Sequence, residues 1–489
     1  MTADITIHDA FVLTVDHRNR LYERGTVLIE DGEITEVRSS RDDDADITAT
    51  HVIDGDGTLV MPGLVNAHTH LELTPLFGAF SDLDLVEMMG GMTAIFGHIA
   101  EGEFNYLTEA GYELAALNFL TGGVTTVNSM DVRPRAGAET FGEAGLRGFF
   151  GTALSDLFWD VPADEQFARA RAFIEEYHDT YNGRIRATIT PHDDWSCTRE
   201  LWERTADLAA EYPDLLVHTH LLELEESNTM ARSNGAADSL DLLDDVGLLD
   251  DRLVAAHFRL ADDEDIRRTA EADASVAHCP SIFCHWNPDG DVQWTPVPEL
   301  RAADVDVGLG IDDHYWHDSY SLFGEARQAR LAANLKRSTG QYGSMELVRM
   351  LTIEGAKALG IGDEIGSIEP GKRADVILLD VEKPKFTPLT NIPAQVANNA
   401  APADVETVIV DGNVLMRDNE VRTMDATAVR ARTETAVDRF EDETGWELGI
   451  GESEPPKMTD LARDLPKRGP SQLLGRLAFQ SVKDGFPDL

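Results

Sequence analysis

Two histidines one residue apart close an apolar run in the stretch Pro62-Gly-Leu-Val-Asn-Ala-His68-Thr-His70. In a β-strand residues i and i+2 share a face, so His68 and His70 can direct both imidazoles at one point. Imidazole pairs of this kind suit a divalent metal held at a strand end. An isolated His-Thr-His also suits two ordinary surface histidines, so the metal reading requires ligands from elsewhere in the chain. Candidates are present. Val217-His218-Thr-His220-Leu-Leu-Glu223 repeats the pattern and adds a carboxylate three residues on. Val254-Ala-Ala-His257 and Ser275-Val-Ala-His278 each end on a histidine, and Gly308-Leu-Gly-Ile-Asp312 ends on an aspartate. Each alone could be a hydrogen-bonded structural residue. Together they would require chance to put a His or Asp at the ends of five strands.

Such residues need a scaffold that gathers strand ends. Eight apolar runs, at 64–70, 124–131, 148–156, 185–192, 215–220, 253–257, 275–278 and 307–312, alternate with helical stretches such as 164–180 and 198–212. That alternation implies a parallel sheet. Eight β/α units imply an α/β fold of the (β/α)8 TIM-barrel type, with its active site at the C-terminal strand ends. The competing doubly wound sheet usually carries a Gly-rich phosphate turn, and none opens a helix here. Residues 1–60 read as short strands, with a hairpin at Asp31-Gly32, too few to form a core unaided. Residues 361–424 offer partners: 366–375 leads into Val376-Ile-Leu-Leu-Asp380, and a second hairpin turn, Asp411-Gly412, follows Val405-Glu-Thr-Val-Ile-Val410. The expected organisation is a small β-sandwich built from both chain ends (1–60 and 361–424), a barrel at 61–360, and a C-terminal helix and tail at 425–489. Asp425 would cap a helix over 426–444 with Val429, Val437 and Phe440 on one side. The Pro-broken stretch 451–489 reads as a loosely docked tail.

Charge narrows the class of partner. Acidic residues number 89 against 41 basic, a net charge of −48. This argues against nucleic acid and anionic membranes. No run is long enough to span a bilayer. The first residues lack the basic and apolar regions of a signal peptide. Three cysteines, Cys197, Cys279 and Cys284, give no disulfide framework. A cytoplasmic protein is expected. The acidity, with no lysine before Lys336, is similar to that of cytosolic proteins from salt-accumulating halophiles.

The motifs Pro62-Gly-Leu-Val-Asn-Ala-His68-Thr-His70, His220-Leu-Leu-Glu223, Ala255-Ala-His257, His278-Cys-Pro, Gly310-Ile-Asp312 and Gly366-Ser-Ile-Glu-Pro-Gly-Lys-Arg-Ala-Asp375 resemble the amidohydrolase superfamily over nearly the whole chain. The resemblance is to its chlorohydrolase and nucleobase-deaminase branch, which includes triazine hydrolases and the deaminases of guanine, cytosine, S-adenosylhomocysteine and methylthioadenosine. It implies a barrel with a β-sandwich from both chain ends, in agreement with the residue pattern. It also implies roles by motif position: His68, His70, His220 and Asp312 as metal ligands, Glu223 as the acid for a ring nitrogen, and His257 with Asp312 handling the water's proton. His278 falls where the family keeps a supporting or pocket residue, and His218 reads as a packing neighbour of the ligands. Some relatives bridge two metals with a carboxylated lysine on the fourth strand. No lysine precedes Lys336 and the fourth run ends Thr190-Pro-His192, so a single ion is expected. Three nitrogens and a carboxylate suit Zn²⁺ best, with Fe²⁺ the alternative.

The implied function is hydrolysis of a C–N bond in a nitrogen heterocycle: deamination by a metal-activated water. Displacement of halide or alkylamine, or opening of a cyclic amide, is the same-superfamily alternative, and a metal-free structural relative is the remote one. Family analogy implies a homo-oligomer. Substrate contacts are expected from the barrel mouth, at His192, Trp195, His278, Trp286, Asp313 and His314. Asp193, Asp194, Asp313 and Glu72 would make that mouth acidic and favour a neutral or cationic small molecule. Arg147 reads as an ion-pair partner.

The composition yields a first prediction. At about 1 M salt the Debye length is only ~3 Å, so surface self-repulsion is screened. In dilute buffer the protein is expected to lose structure. Far-UV melts in dilute and molar salt test this, and identical curves would contradict it.

Overall fold

The computed structural model describes residues 3–41, 44, 48–79, 85–285, 293–315, 317, 319–337, 339–446, 476, 480 and 483, with the backbone alone at 3, 85–90 and 93. Five strands rich in Val, Ile and Leu open the chain: β1 (Ala3–Leu13), β2 (Leu21–Glu30), β3 (Glu33–Ser39), β4 (Ala49–Asp54) and β5 (Thr58–Pro62). Next come the strands that carry the chemistry: β6 (Leu64–Thr69), β7 (Val124–Asp131), β8 (Arg147–Leu154), β9 (Ile185–Ala187) with β10 (Thr190–Pro191), β11 (Val217–Leu221), β12 (Leu253–His257), β13 (Ser275–His278) and β14 (Val307–Leu309). Then follow β15 (Val376–Asp380), β16 (Val405–Val410), β17 (Asn413–Arg417) and β18 (Glu420–Val421).

Strands β6 to β14 run parallel as two arcs, β6-β7-β8 with β9 and β10 beside β8, and β11-β12-β13-β14. Parallel bridges Ile189–Val217 and Asp193–His220 join the arcs on one side, and Thr69–Asp312 joins them on the other. With β9 and β10 forming one interrupted strand, the ring is the expected eight-stranded barrel. Its strands are buried almost throughout, as expected of strands covered on both faces. The helix expected at 198–212 forms as Arg199–Glu211, and the Thr198 side chain accepts from Leu201 N as its N-cap.

Both chain ends contribute strands to one sheet, where two sheets packed as a β-sandwich were expected. The path β18-β17-β16-β15-β5-β1-β2-β3 forms a single hydrogen-bonded sheet, with β4 on β1. It curls back on itself: Ile34 N donates to Lys372 O (2.8 Å) and Gly371 N to Ile34 O (2.8 Å), so β3 returns to the chain entering β15. The enclosed core includes Ile5, Ile7, Val27, Ile29, Val60, Val376 and Ile409. Both Asp-Gly turns have positive φ at both residues (Asp31 52°, Gly32 78°, Asp411 52°, Gly412 72°), as a two-residue type I′ hairpin demands. The two turns abut, and a Cβ on Gly412 would come within 2.5 Å of Gly32 Cα.

The C-terminal helix Ala426–Thr444 starts where expected, its N-cap Asp425 accepting from Thr427 N and Ala428 N. Its buried stripe is Val429, Thr433, Ala436 and Phe440, and it packs on the helix Asn105–Thr121. Val437, expected on that stripe, is half-buried. The tail expected at 451–489 lies outside the described residues except for 476, 480 and 483.

One buried ion pair ties barrel to sheet. Arg147 Nε donates to Asp375 Oδ2 (3.0 Å) and Nη2 to Oδ1 (3.1 Å), while Asp411 N also donates to Asp375 Oδ1 (2.9 Å). Removing one member of such a pair leaves a buried charge uncompensated, at a cost of about 3–5 kcal/mol. Arg147→Met should therefore lower the urea midpoint in molar salt by that free energy with an unchanged slope. A shift below ~1 kcal/mol, the range of an exposed pair, would contradict a structural role.

Candidate metal and catalytic site

His68 lies in β6 and His70 directly follows it, His220 is the penultimate residue of β11, His257 ends β12 and Asp312 follows β14; all five are buried. Ligand atoms of His68, His220, His257 and Asp312 lie within 4.8 Å of one another, and His70, Asp312 and Asp313 form an overlapping group. His68 Nε2 stands 3.3 Å and His70 Nε2 3.6 Å from Asp312 Oδ1.

Tautomers follow from the outer hydrogen bonds. His70 Nδ1 donates to Met130 O (2.5 Å) and His220 Nδ1 to His192 O (2.5 Å). A carbonyl oxygen only accepts, so both Nδ1 atoms carry the proton and both Nε2 atoms of the neutral rings are bare lone pairs. Those Nε2 atoms face each other at 3.1 Å. Two lone pairs at that distance repel unless a positive charge lies between them. His68 Nε2 is buried with no hydrogen-bond partner among the described residues. Its Nδ1 lies 2.9 Å from His218 Nε2 and donates to it if Nε2 is to be a ligand. His218 thus packs against the far nitrogen of His68. Three nitrogen donors and a carboxylate therefore fit a divalent ion.

The electrostatics agree. Burial, reinforced by the neighbouring histidines, holds His68 and His220 well below the usual histidine range. For His70 burial opposes protonation, but Asp313, Asp312 and Asp131 outweigh it and raise its pKa. These carboxylates draw positive charge, as proton or as cation, to this point. Burial, with Asp312 and Asp193 nearby, pushes Glu223 well above the carboxylate range, which favours its protonated, proton-donating form. Glu223 Oε1 lies 3.8 Å from His257 Nε2, which is 3.7 Å from Asp312 Oδ2. His257 and Asp312 adopt positive φ (71° and 67°), a strained conformation for residues other than glycine.

The six principal residues from the sequence thus converge. A cavity over them is lined by His70, His220, Glu223, His257 and Asp312, and also by His192, Trp195, Asp313 and Glu72. Two expected substrate contacts do not line it. His278 Nδ1 pairs with Thr295 Oγ1 (2.9 Å), and the ring lines a separate cavity with Arg259 and Trp294. His314 Nε2 pairs with Thr74 Oγ1 (2.9 Å) beside Tyr320. Each lies at or beyond a strand end, where the chain turns and alternation no longer fixes direction. Trp286 lies outside the described residues. Asp193 and Asp194, expected to acidify the mouth, are buried and engaged in hydrogen bonds. Asp193 bonds His192 Nδ1 and accepts from Trp195 N (2.9 Å), while Asp194 accepts from Leu222 N (2.9 Å) and Ser227 Oγ (2.7 Å). Sequence reasoning missed the apolar wall of Met92, Phe96, Phe158 and Trp159. Trp159 follows the end of β8 at the functional face, which was the available signal; the helix Leu85–Ala100 offered none.

Residues 59–415 match the amidohydrolase family, and the chain belongs to it. The 5′-deoxyadenosine deaminase of Methanothermobacter thermautotrophicus is 36% identical over 418 residues, which is 85% of this chain and 94% of that protein. The 5-methylthioadenosine/S-adenosylhomocysteine deaminase of Symbiobacterium thermophilum is 32% identical over 439 residues, 89% of this chain and 99% of that one. Among solved structures, a zinc-bound adenosine deaminase from Xanthomonas campestris matches with a TM-score of 0.82 at 28% identity, covering 90% of this chain and 99% of that one. A zinc-complexed atrazine chlorohydrolase from Arthrobacter aurescens shares the fold (TM-score 0.80, 23% identity, 88% of this chain and 100% of that one). The chain is a metal-dependent hydrolase of C–N bonds, an aminohydrolase acting on a nitrogen heterocycle. Among the described residues no helix is long and apolar enough to cross a membrane.

An ion that binds only the folded site stabilises it by mass action, by about 2.7 kcal/mol at a hundredfold excess over Kd. Chelation should lower the melting temperature and added zinc restore it, whereas His68→Ala should melt at one temperature in both conditions. A chelator-insensitive parent would contradict the metal assignment.

Proposed function

We propose that this chain is a zinc-dependent adenine-nucleoside deaminase, replacing the 6-amino group by oxygen and releasing ammonia. The observation that carries the reading is Glu223, a buried carboxyl beside His257 and Asp312 whose burial favours the protonated form. Attack at C6 of adenine places negative charge on ring nitrogen N1, and a neutral acid above the site is what that nitrogen requires. When bound, the ion supplies an acidified water, its pKa brought towards about 7, as nucleophile. The chain's own groups account for the remaining proton movements. Glu223 gives its proton to N1. Asp312 and His257 take up the two protons that the water loses on becoming the carbonyl oxygen; one goes to the departing amine, which leaves as ammonia, and the other restores Glu223. Asp193 holds His192 at the cavity wall, where Phe158 stacks on it at 5.4 Å between centroids. Trp159, Trp195, Met92 and Phe96 exclude bulk water and offer flat apolar surfaces to a base.

The relatives support adenine nucleosides over other rings, since the two deaminases named above act on 5′-deoxyadenosine and on methylthioadenosine or S-adenosylhomocysteine. Zinc is supported by its presence in the adenosine deaminase of similar fold. The acidic composition supports a salt-rich cytosol as the working compartment.

Ammonia release in molar salt from 5′-deoxyadenosine, 5′-methylthioadenosine and adenosine, set against guanine, cytosine and a chlorotriazine, tests the substrate. Turnover is expected for the nucleosides alone, and preference for a free base or a triazine would overturn it. General acid–base groups contribute about 10²–10⁴-fold, so Glu223→Gln and Asp312→Asn should lose at least that factor in kcat with an intact far-UV spectrum. Near-parental turnover by either would refute these proton-transfer roles.

A further inference from the structure

The two His-X-His strands are held by the same device. On β6, His70 Nδ1 donates to Met130 O (2.5 Å), and the next amide, Leu71 N, donates to the carboxylate of the next residue on the other side, Asp131 Oδ1 (2.9 Å). On β11, His220 Nδ1 donates to His192 O (2.5 Å), and Leu222 N donates to Asp194 Oδ2 (2.9 Å). In each case a histidine bonds a carbonyl near the end of the neighbouring strand, and an aspartate one residue (Asp131) or two residues (Asp194) beyond that carbonyl accepts from the amide one residue (Leu71) or two residues (Leu222) beyond the histidine. Each aspartate is fully buried and steadied by a serine: Ser129 Oγ donates to Asp131 Oδ2 (2.5 Å) and Ser227 Oγ to Asp194 Oδ1 (2.7 Å).

A third carboxylate makes the first grip reciprocal. Glu72, two residues past His70, accepts from Val132 N (2.9 Å) and Arg133 N (2.7 Å), just past Asp131. Each strand end therefore holds the other by a side-chain carboxylate, with Met130 O between the two contacts. Although Glu72 lines the cavity, both its oxygens are committed to backbone amides.

We propose that Asp131 and Asp194 are positioning residues that aim the Nε2 atoms of His70 and His220 at the metal, with Glu72 completing the Asp131 clamp. The proposal rests on His70 and His220 being ligands. The reason is geometric: the carbonyl fixes tautomer and ring plane only if the two strand ends cannot slide past each other. Outer partners of ligating histidines commonly change metal affinity or activity by about 10–100-fold when removed.

The test measures zinc affinity by chelator competition in molar salt, alongside the melting temperature of the metal-free protein. Asp131→Ala and Asp194→Ala should weaken zinc binding about 10–100-fold. Asn, which keeps one acceptor for the backbone amide, should recover most of that at either position. A merely structural role would lower the apoprotein melting temperature and leave zinc affinity as it was. Zinc affinity within twofold of the parent in both Ala variants, alongside its loss in His70→Ala, would overturn the clamps and spare the ligand assignment. Stoichiometric zinc in His70→Ala and in His220→Ala would overturn the ligand assignment itself. If an Ala variant does not fold, Ser129→Ala or Ser227→Ala decides: weaker zinc binding supports the clamp, and unchanged affinity overturns it.

Discussion

The barrel closes at its active site. Ile311 N and Asp312 N both donate to His68 O (3.0 Å each), Thr69 Oγ1 donates to Asp312 O (3.0 Å), and His70 N reaches the same oxygen at 3.4 Å. These bonds join the last strand to the first. They are also what brings the Asp312 carboxylate to the two histidines. Ring closure and assembly of the ligand set are therefore one event. The seam tolerates no bulk, since a Cβ on Gly310 would come within 2.9 Å of His68 O and within 2.7 Å of Cys279 Sγ. Asp312 must also hold φ near +67° to leave the seam and face the centre. Strain of this kind costs on the order of 1–3 kcal/mol and persists where surrounding structure over-determines it. Here the seam's hydrogen bonds supply that constraint.

The second seam has the same logic. Ile189 pairs with Val217 and Asp193 with His220, so β11 is also a strand at a junction between arcs. Each arc opens with a His-X-His strand. The first histidines of the two motifs touch each other, His68 Nδ1 to His218 Nε2, and the second histidines face each other through Nε2. The two halves thus meet through paired imidazoles with their lone pairs towards the centre. Such a junction is unfavourable until a cation occupies it. Burial makes His68, His218 and His220 resist protonation, and only His70, beside Asp312, Asp313 and Asp131, is drawn towards it. A metal resolves this conflict where a proton does so poorly, because one ion accepts several lone pairs at once.

Legibility in the sequence follows from which residues obey strand alternation. His68 and His220 lie within regular strands and His70 directly follows β6 with the alternation continued, so a period of two is enough to fix their directions. Asp312 was legible from its place after an apolar run and from Gly310, which the seam requires. His278 and His314 lie at the edge of that rule. Past a strand end the backbone turns, and side-chain direction depends on loop conformation that spacing does not encode. Glu72 is the mixed case: alternation takes it to the cavity, yet its oxygens are drawn to the amides of Val132 and Arg133. Asp131 and Asp194 are less legible still, because a carboxylate that grips a backbone amide leaves no periodic trace. In so acidic a sequence it looks like one more solvated charge. The barrel and the joining of the chain ends were the easier inference, since eight alternating units and two Asp-Gly hairpins leave few arrangements that bury their apolar faces.

The abundance of acid outside and its rationing inside have different physical causes. On the surface, carboxylates are hydrated and salt screens them. In the cavity the same groups are desolvated, and each must be neutralised, bonded or opposed by a cation. All three solutions occur. Burial favours the neutral form of Glu223, and Asp313, lifted to about 7 by burial and Asp312, accepts a hydrogen bond from Tyr315. Glu72 and Asp131 spend their oxygens on backbone and hydroxyl donors. Asp312 is left facing the histidines to share a cation with them. A wall of this composition gives an anionic substituent nothing to pair with among its described lining residues, which include no lysine or arginine. Phe158, Trp159 and the buried carboxyl of Glu223 line one cavity. Apolar faces beside a desolvated acid suit a flat, uncharged ring better than a charged one, because the wall that dries the ring also disfavours the ionised form of the carboxyl.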